Sequence, residues 1–179
     1  MKRIVFIFGS IAGLIEVAMF FITMPLMGDG TLAFENGEII GYSTMIVALS
    51  MIFFGVKSFR DNHNEGKITF GKAFQVGIFI ALVASAIYAL GWEAYMATGT
   101  GPDDFMEQYT DQYVTQMESE GASQSEIDEM KSEMQSMSEM YKNPVIRFGM
   151  TLMEILPVGL VITLITAAAV RRSEVKVSV

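Results

Sequence analysis

The chain has 179 residues, of which 51% are hydrophobic, with a formal net charge of −8, one histidine and no cysteine. Without cysteine the chain cannot form disulfides, cysteine-ligated zinc sites, iron–sulfur clusters or thiol nucleophiles. The apolar content predicts a single membrane domain, residues 1–179, that combines a bundle of helices with one extramembrane element.

Four long apolar runs alternate with polar stretches along the chain. Each run is close to the roughly 20 residues that an α-helix needs to cross a hydrocarbon core. We therefore predict an all-α fold, an integral membrane bundle of four transmembrane helices, with spans at residues 4–27, 39–56, 73–96 and 145–170. The first run is longer than the core of a signal peptide and lacks a small-residue cleavage site, so we expect an uncleaved span.

Positive and negative residues are segregated between the connections. Basic residues lie before the first run, between the second and third, and after the fourth: Lys2, Arg3, Lys57, Arg60, Lys67, Lys72, Arg171, Arg172 and Lys176. The other two connections are acidic, with Asp29, Glu35 and Glu38 in the first and Asp103, Asp104 and many later carboxylates in the second. Because cytoplasmic loops retain Lys and Arg, this pattern predicts cytoplasmic N- and C-termini. The basic residues are expected to contact anionic lipid headgroups.

The segment 99–143, between the third and fourth spans, predicts an extracytoplasmic acidic helical hairpin. Apolar residues recur there at spacings of three and four, first at Met106, Tyr109, Tyr113 and Met117, then at Ile127, Met130, Met134, Met137 and Tyr141. Ser123, followed three residues later by Glu126, is typical of a capping box that starts the second helix. The two apolar stripes would pack on each other, on the membrane surface or on a partner.

Small residues mark the faces on which the spans are expected to pack. Gly9 and Gly13 form a GxxxG pair on the first span, and Glu16 lies on nearly the same helical face. Gly77 begins a ridge of small residues on the third span that ends at Glu93. Small residues allow two helix backbones to approach closely in lipid, so we expect these faces to be buried.

Two carboxylates, Glu16 and Glu154, are predicted to lie at the same depth in the membrane. Counted from the outer ends of their spans at 1.5 Å per residue, both are roughly 14–16 Å deep. A charged carboxylate at that depth is costly, so we expect both groups to face a bundle interior or a wet cavity, where either can hold a proton. Pro157, near Glu154, frees the backbone carbonyl of Met153, which could ligate a cation.

Arg147 and Glu93 are predicted to form an ion pair nearer the outer surface, with Glu16 and Glu154 below it, as a polar track into the membrane. Arg147 precedes Glu154 by seven residues and so shares its helical face. Two interpretations stay open. The charges can hold the bundle together, or they can form a site for a proton, a cation or another ligand.

Signals of catalysis and of metal or nucleic-acid binding are weak. The single histidine, His63, cannot complete a metal site, and any Ser-His-Asp arrangement would have to use it. Gly66-Lys67 lacks the preceding glycine of a phosphate-binding loop. The methionines of the acidic hairpin match an apolar helical period, which favours packing over copper(I) ligation. We therefore predict a non-enzymatic protein without metal, cofactor or nucleic-acid partner.

Several segments together resemble a known family. They are Gly41-Tyr42, residues 53–61, residues 66–74 and residues 154–160, and the stretch from Lys57 to Phe74 is the most specific. The family consists of small four-helix bacterial membrane proteins that share a domain of unknown function. The resemblance implies a multi-pass protein of the bacterial cytoplasmic (inner) membrane, and it implies no activity and no site residues.

The leading hypothesis is a non-enzymatic accessory or interaction module that works with a membrane-protein partner or as a homo-oligomer in the lipid bilayer. The alternative is a small proton-, cation- or solute-coupled transporter or channel that uses the intramembrane carboxylates. The candidate polar site comprises Glu16, Glu154, Arg147 and Glu93, and the candidate helix-packing residues are Gly9, Gly13, Gly77 and Pro157.

Overall fold

The computed structural model is all-α and describes residues 1–28, 31–32, 34–98 and 102–172. Its helices are α1 (Lys2–Gly28), α2 (Phe34–Leu49), α3 (Met51–His63), α4 (Phe70–Met96), α5 (Pro102–Ser119), α6 (Gln124–Tyr141) and α7 (Pro144–Val170). The chain divides into two compact units. Unit 1 comprises Met1–Ala89 and the chain from Leu152, and unit 2 comprises Leu90–Thr151.

Some predicted features lie outside the described residues. They are Asp29, Lys176 and the start of the predicted acidic hairpin, residues 99–101. The side chains of Glu35, Glu38, Asp103 and Asp104 lie outside the description as well.

Four stretches of described helix are long and apolar enough to cross a membrane: Lys2–Met27, Ile39–His63, Phe70–Met96 and Pro144–Val170. The prediction of an all-α protein with four candidate spans is therefore confirmed. Helix continues past Val56, the predicted end of the second span, as far as His63. Many residues after Val56 are polar, but Phe59 and Arg60 are buried, and this packing keeps the segment helical.

The second candidate span is interrupted between α2 and α3. Ser50 separates the two helices, and its hydroxyl donates a hydrogen bond to the backbone carbonyl of Val47. A serine that bonds to the preceding turn competes with the regular helix ladder and often bends a helix. The span therefore comprises α2 and α3, joined at Ser50, which keeps helical dihedral angles and whose amide still donates to the carbonyl of Ile46 at 3.0 Å.

The core of unit 1 is apolar, and much of its surface is apolar too. Its largest fully buried side chains include Leu49, Ile52, Ile68, Ile80 and Ile155. Phe6, Leu14, Ile39, Val161 and Ile165 are among the large apolar side chains that are more than half exposed. Extended exposed apolar surface of this kind is unusual in a water-soluble monomer and suits contact with lipid.

Helix α1 packs against α4 at positions where only glycine fits. A Cβ atom added at Gly9 would lie 2.7 Å from the Cβ of Val83, and one added at Gly13 would lie 2.7 Å from the Cβ of Ile87. Carbon atoms in ordinary contact are about 3.5–4.0 Å apart, so neither site has room for a side chain. The GxxxG face of α1 is thus the face that contacts α4.

The ridge of small residues on α4 packs on other helices of unit 1. A Cβ at Gly77 would lie 2.8 Å from Cγ2 of Thr163 on α7 and 3.2 Å from Cγ2 of Ile52 on α3. Helix α7 continues through Pro157, whose side chain is exposed. Glycine therefore lets α4 approach α7 and α3, whereas Pro157 lies on the outside of unit 1.

Backbone and arginine hydrogen bonds hold the C-terminal end of α7 against the rest of unit 1. Ile68 and Arg172 form an isolated antiparallel bridge, with N···O distances of 3.0 and 2.9 Å. Arg60 donates from Nη1 to the carbonyl of Val170 at 3.2 Å and from Nε to Asp61 at 2.6 Å. These contacts tie the end of α7 to the segment that follows α3, and they satisfy one of the carbonyls that a helix C-terminus leaves free.

Unit 2 contains α5 and α6, which contact each other across a short turn at Gly121. Gly121 has a φ of +83°, a left-handed conformation that favours glycine. Ser123 begins α6, and both its amide and its hydroxyl donate to the carboxylate of Glu126 at 2.7 Å. These bonds lower the pKa of Glu126, the side-chain bond more than the backbone one. The helix start predicted at Ser123 is confirmed.

Candidate functional site

Glu16 is a buried carboxyl group without a hydrogen-bond partner. It lies on α1 three residues after Gly13, and its side chain is turned inward so that only 3% of the residue is exposed. Neither Oε1 nor Oε2 has a hydrogen-bond partner among the described residues. Removing an ionised carboxylate from water without a compensating partner costs several kcal/mol, so the neutral acid is the form that this environment favours.

Glu154, the second acid of the predicted polar site, lies on α7 in unit 1. Its side chain is exposed, whereas the neighbouring Ile155 is fully buried. The expectation that Glu154 faces a bundle interior or a wet cavity stays a prediction. Successive residues on an α-helix point about 100° apart, so burying Ile155 turns Glu154 toward the surface of unit 1.

Thr163 is a second buried polar group that the sequence did not single out. It is fully buried on α7, and its hydroxyl has no hydrogen-bond partner within the described chain. Threonine in a helix commonly donates to the carbonyl one turn earlier, as Thr151 does to Arg147. Thr163 differs from Thr151 in lacking this hydrogen bond among the described residues, and the amino-acid sequence gives no signal of the difference.

Glu93 and Arg147 form a bidentate ion pair in unit 2. Arg147 donates from Nε to Oε1 of Glu93 at 2.8 Å and from Nη2 to Oε2 at 2.5 Å. Its third nitrogen, Nη1, donates to the carbonyl of Tyr141 at 3.0 Å, and its guanidinium carbon lies 5.6 Å from the centre of the Tyr141 ring. The Tyr141 hydroxyl in turn accepts a hydrogen bond from Trp92 at 2.5 Å. These satisfied polar groups favour the structural interpretation for Arg147 and Glu93.

The four residues of the predicted polar site thus occur as two pairs. Glu16 and Glu154 both lie in unit 1, and Glu93 and Arg147 form an ion pair in unit 2. The pairs differ in chemistry, because Glu93 and Arg147 have matched charges, whereas the two acids of unit 1 show no ion pair within the described ranges. A single track through all four residues stays a prediction, as does a functional role for any of them.

The comparison with protein families decides the affiliation of the chain. A family profile described as "Protein of unknown function (DUF4199)" matches residues 7–172. The chain belongs to the DUF4199 family. This confirms the resemblance that the sequence showed, and the family carries no assigned activity or site residue. The searches of curated proteins and of solved structures found no match.

Three further features of this DUF4199 protein were candidates for a functional site: groups of metal-ligating side chains, His63, and a groove between α5 and α6. In the described ranges, no group of three or more His, Asp or Glu residues is placed to hold a metal ion. The His63 ring stacks on Phe59 at a centroid distance of 6.2 Å, as expected for a histidine that packs at the end of a helix. An open groove of about 300 Å³ lies between α5 and α6, lined by Met106, Glu107, Thr110, Asp111, Lys131, Met134, Gln135 and Ser138.

Proposed function

We propose that this DUF4199 protein is a non-enzymatic accessory or interaction module of the bacterial cytoplasmic membrane, with both termini in the cytoplasm. Four candidate spans support a multi-pass protein. The basic residues at the start of α1, from α3 to the first turn of α4, and after α7 support the orientation, because Lys and Arg are held back from translocation. The same residues are suited to contact anionic headgroups.

The interaction itself is assigned to α5 and α6, which in this proposal form an extracytoplasmic acidic helical hairpin. The observation that carries the proposal is that their apolar stripes are only partly covered in unit 2. The half-buried members are Tyr109, Tyr113, Met117, Met130, Met134 and Met137. Methionine and aromatic side chains are favoured at surfaces that bind proteins. The surrounding carboxylates suit a partner with a basic rim.

The orientation can be tested cleanly because the chain has no native cysteine. Ser132→Cys, on an exposed position of α6, should react with a membrane-impermeant maleimide in intact cells. Asn62→Cys, exposed at the end of α3, should react only after the membrane is permeabilised. The reverse pattern would refute the proposed topology.

The interaction can be tested by cross-linking the full-length protein in native membranes, followed by mass spectrometry. Met130→Glu and Met137→Glu place charge on the half-buried stripe of α6 and should abolish cross-links to a specific partner. Ser132→Glu adds the same charge on the exposed face and should leave them intact. If the wild type and all three variants give the same cross-links, α5 and α6 do not form the binding surface.

A second candidate function, a small proton-, cation- or solute-coupled transporter or channel, is favoured by one specific observation. Glu16 is buried with no hydrogen-bond partner among the described residues, and a second acid, Glu154, lies on another candidate span of unit 1. Intramembrane acids of this kind occur along ion and proton pathways. Purified protein in proteoliposomes should then show a flux that disappears in Glu154→Gln and persists in Glu139→Gln, an exposed acid of α6.

A further inference from the structure

Glu154 is an acidic side chain on the outer surface of unit 1. It is exposed on α7, together with Met153 and Val161, which are 73% and 54% exposed. In the candidate span Pro144–Val170 it lies about 15 Å along the helix from the first residue and about 24 Å from the last, at 1.5 Å per residue. Ionisable groups inside a span almost always face other helices or a wet cavity rather than lipid. An acid exposed at this position therefore indicates a surface that another helix covers.

The described part of unit 1 supplies no partner for Glu154. Its side chain takes part in no hydrogen bond and no ion pair among the described residues. Glu16, the other acid of the predicted polar site in unit 1, has no such hydrogen-bond partner on either oxygen, so it does not bond to Glu154. Hydrocarbon favours the neutral acid, whose O–H group still needs an acceptor.

A second polar group that needs a partner lies one residue before Glu154. Pro157 has no N–H, so the backbone carbonyl of Met153 lacks the donor that an uninterrupted helix would give it. Met153 and Pro157 are both exposed. A backbone carbonyl without a donor is costly in hydrocarbon, where no water can replace the bond. This part of α7 thus carries a donor and acceptors that lipid cannot satisfy.

The exposed residues around Glu154 follow a regular stripe along α7. Exposed positions recur at alternating spacings of three and four residues and form what we call the α7 seam: Glu154, Pro157, Val161, Leu164 and Ala168. By this spacing two helices pack side by side as a left-handed pair, in membranes as well as in water. Ala168 is small enough to let a neighbouring helix approach closely. The α7 seam therefore has the geometry of a helix-packing surface.

We propose that the α7 seam is the interface of a homodimer in the membrane, in which the neutral Glu154 side chains of two copies hydrogen-bond to each other. The chemistry selects a second copy, because a protonated carboxyl group is both donor and acceptor and is therefore complementary to itself. A two-fold axis at Glu154 places the two groups opposite each other, as a symmetric interface requires. The inference depends neither on the binding surface proposed for α5 and α6 nor on transport.

The test measures association of the purified full-length protein in lipid vesicles. The chain has no native cysteine, so copies with Ser132→Cys can carry a donor or an acceptor dye, and energy transfer is followed as lipid is added. Glu154→Leu removes the hydrogen bond and should weaken association about tenfold, or about 1.4 kcal/mol, within the range for hydrogen bonds between membrane helices. Glu154→Gln keeps a donor and an acceptor and should associate like the wild type.

Two pairs of neighbouring residues locate the interface by rotation about α7. Val161→Cys, on the α7 seam, should form a disulfide between copies under mild oxidation. Leu160→Cys, also exposed but about 100° around the helix, should not. Ala168→Phe should obstruct packing along the seam, whereas Ala169→Phe, at an exposed position outside it, should leave association unchanged. Each control differs from its partner mainly in the direction that the side chain faces.

Four results would overturn the proposal. They are wild-type energy transfer no greater than that of randomly mixed monomers, equal association of Glu154→Leu and the wild type, cross-linking through Leu160→Cys rather than Val161→Cys, and loss of association in Glu154→Gln. The last result, with co-purification of a protein that has Lys or Arg inside a span, would identify a basic partner in place of a second copy. If Glu154→Leu fails to fold, the two pairs of neighbouring variants still decide the question.

Discussion

Replacing Gly13 by alanine should force α1 and α4 apart. The added Cβ would lie 2.7 Å from the Cβ of Ile87 and 2.8 Å from the backbone oxygen of Ala84. Ordinary contacts between carbon atoms are about 3.5–4.0 Å, so the helices must separate by roughly 1 Å. Neither contacting atom is the end of a flexible side chain, and the cost therefore falls in the range for overpacking, about 1–3 kcal/mol.

A matched control isolates this steric cost from the change in helix propensity. Alanine is favoured over glycine inside a helix by about 1 kcal/mol, and this gain partly offsets the clash at Gly13. Gly41, on α2, has no atom within 4 Å of its Cβ position, so Gly41→Ala should show the gain alone. The difference in unfolding free energy between the two variants should therefore equal the overpacking cost, about 1–3 kcal/mol.

The assay is a denaturant titration of the protein in mixed micelles, followed by the fluorescence of its single tryptophan, Trp92. Gly13→Ala should lower the midpoint relative to Gly41→Ala, and Gly9→Ala should behave like Gly13→Ala, because its Cβ would lie equally close to Val83. Equal midpoints for Gly13→Ala and Gly41→Ala would refute the close approach of α1 to α4.

Three further predictions concern polar contacts. In the same denaturant titration, Arg147→Ala should destabilise the protein by about 3–5 kcal/mol, because it leaves the partly buried carboxylate of Glu93 unpaired. Arg147→Lys should recover only part of this stability, because an ammonium group cannot form both bonds to Glu93. Arg60→Gln should speed amide exchange in the last turn of α7, where the bond to the Val170 carbonyl is lost; unchanged exchange would contradict that role. The hydrogen bonds from Ser123 lower the pKa of Glu126 in the folded protein. These bonds therefore stabilise the fold above the ordinary pKa of a glutamate, and the stabilisation is lost as the pH falls through the lowered pKa of Glu126. An NMR titration of the full-length protein should show that Ser123→Ala raises the Glu126 pKa.

The candidate spans were predictable because the thickness of the bilayer fixes the length of an apolar helix. The continuation of helix beyond the second apolar run was not predictable. The residues after Val56 include several turn formers and charges, which indicate a loop when read locally. In the structure Phe59 and Arg60 are buried, and Arg60 bonds to the carbonyl of Val170, a residue far away in the chain. Tertiary contacts of this kind override local preference and leave no local signal.

The rotation of the helices that carry the candidate acids was predictable for α1 but not for α7. The depth of Glu16 and Glu154, counted from the fixed rise per residue of a helix, stays a prediction. The rotation of a helix about its own axis depends on what it packs against. On α1 the GxxxG face determines that rotation and buries Glu16, as the sequence predicts. On α7 the burial of Ile155 determines it and exposes Glu154.

Packing and protonation should therefore be coupled at Glu16. Gly13 and Glu16 lie one turn apart on the same face of α1, so the approach that excludes a side chain at Gly13 also excludes water from the carboxyl group. If Gly13→Ala separates α1 from α4, Glu16 gains solvation and its charged form becomes less unfavourable. In infrared difference spectra, the protonated-carboxyl band that Glu16→Gln removes should then weaken at neutral pH in Gly13→Ala and stay unchanged in Gly41→Ala. A Gly13→Ala variant that is destabilised but keeps the full band would mean that contact with α4 does not keep Glu16 neutral.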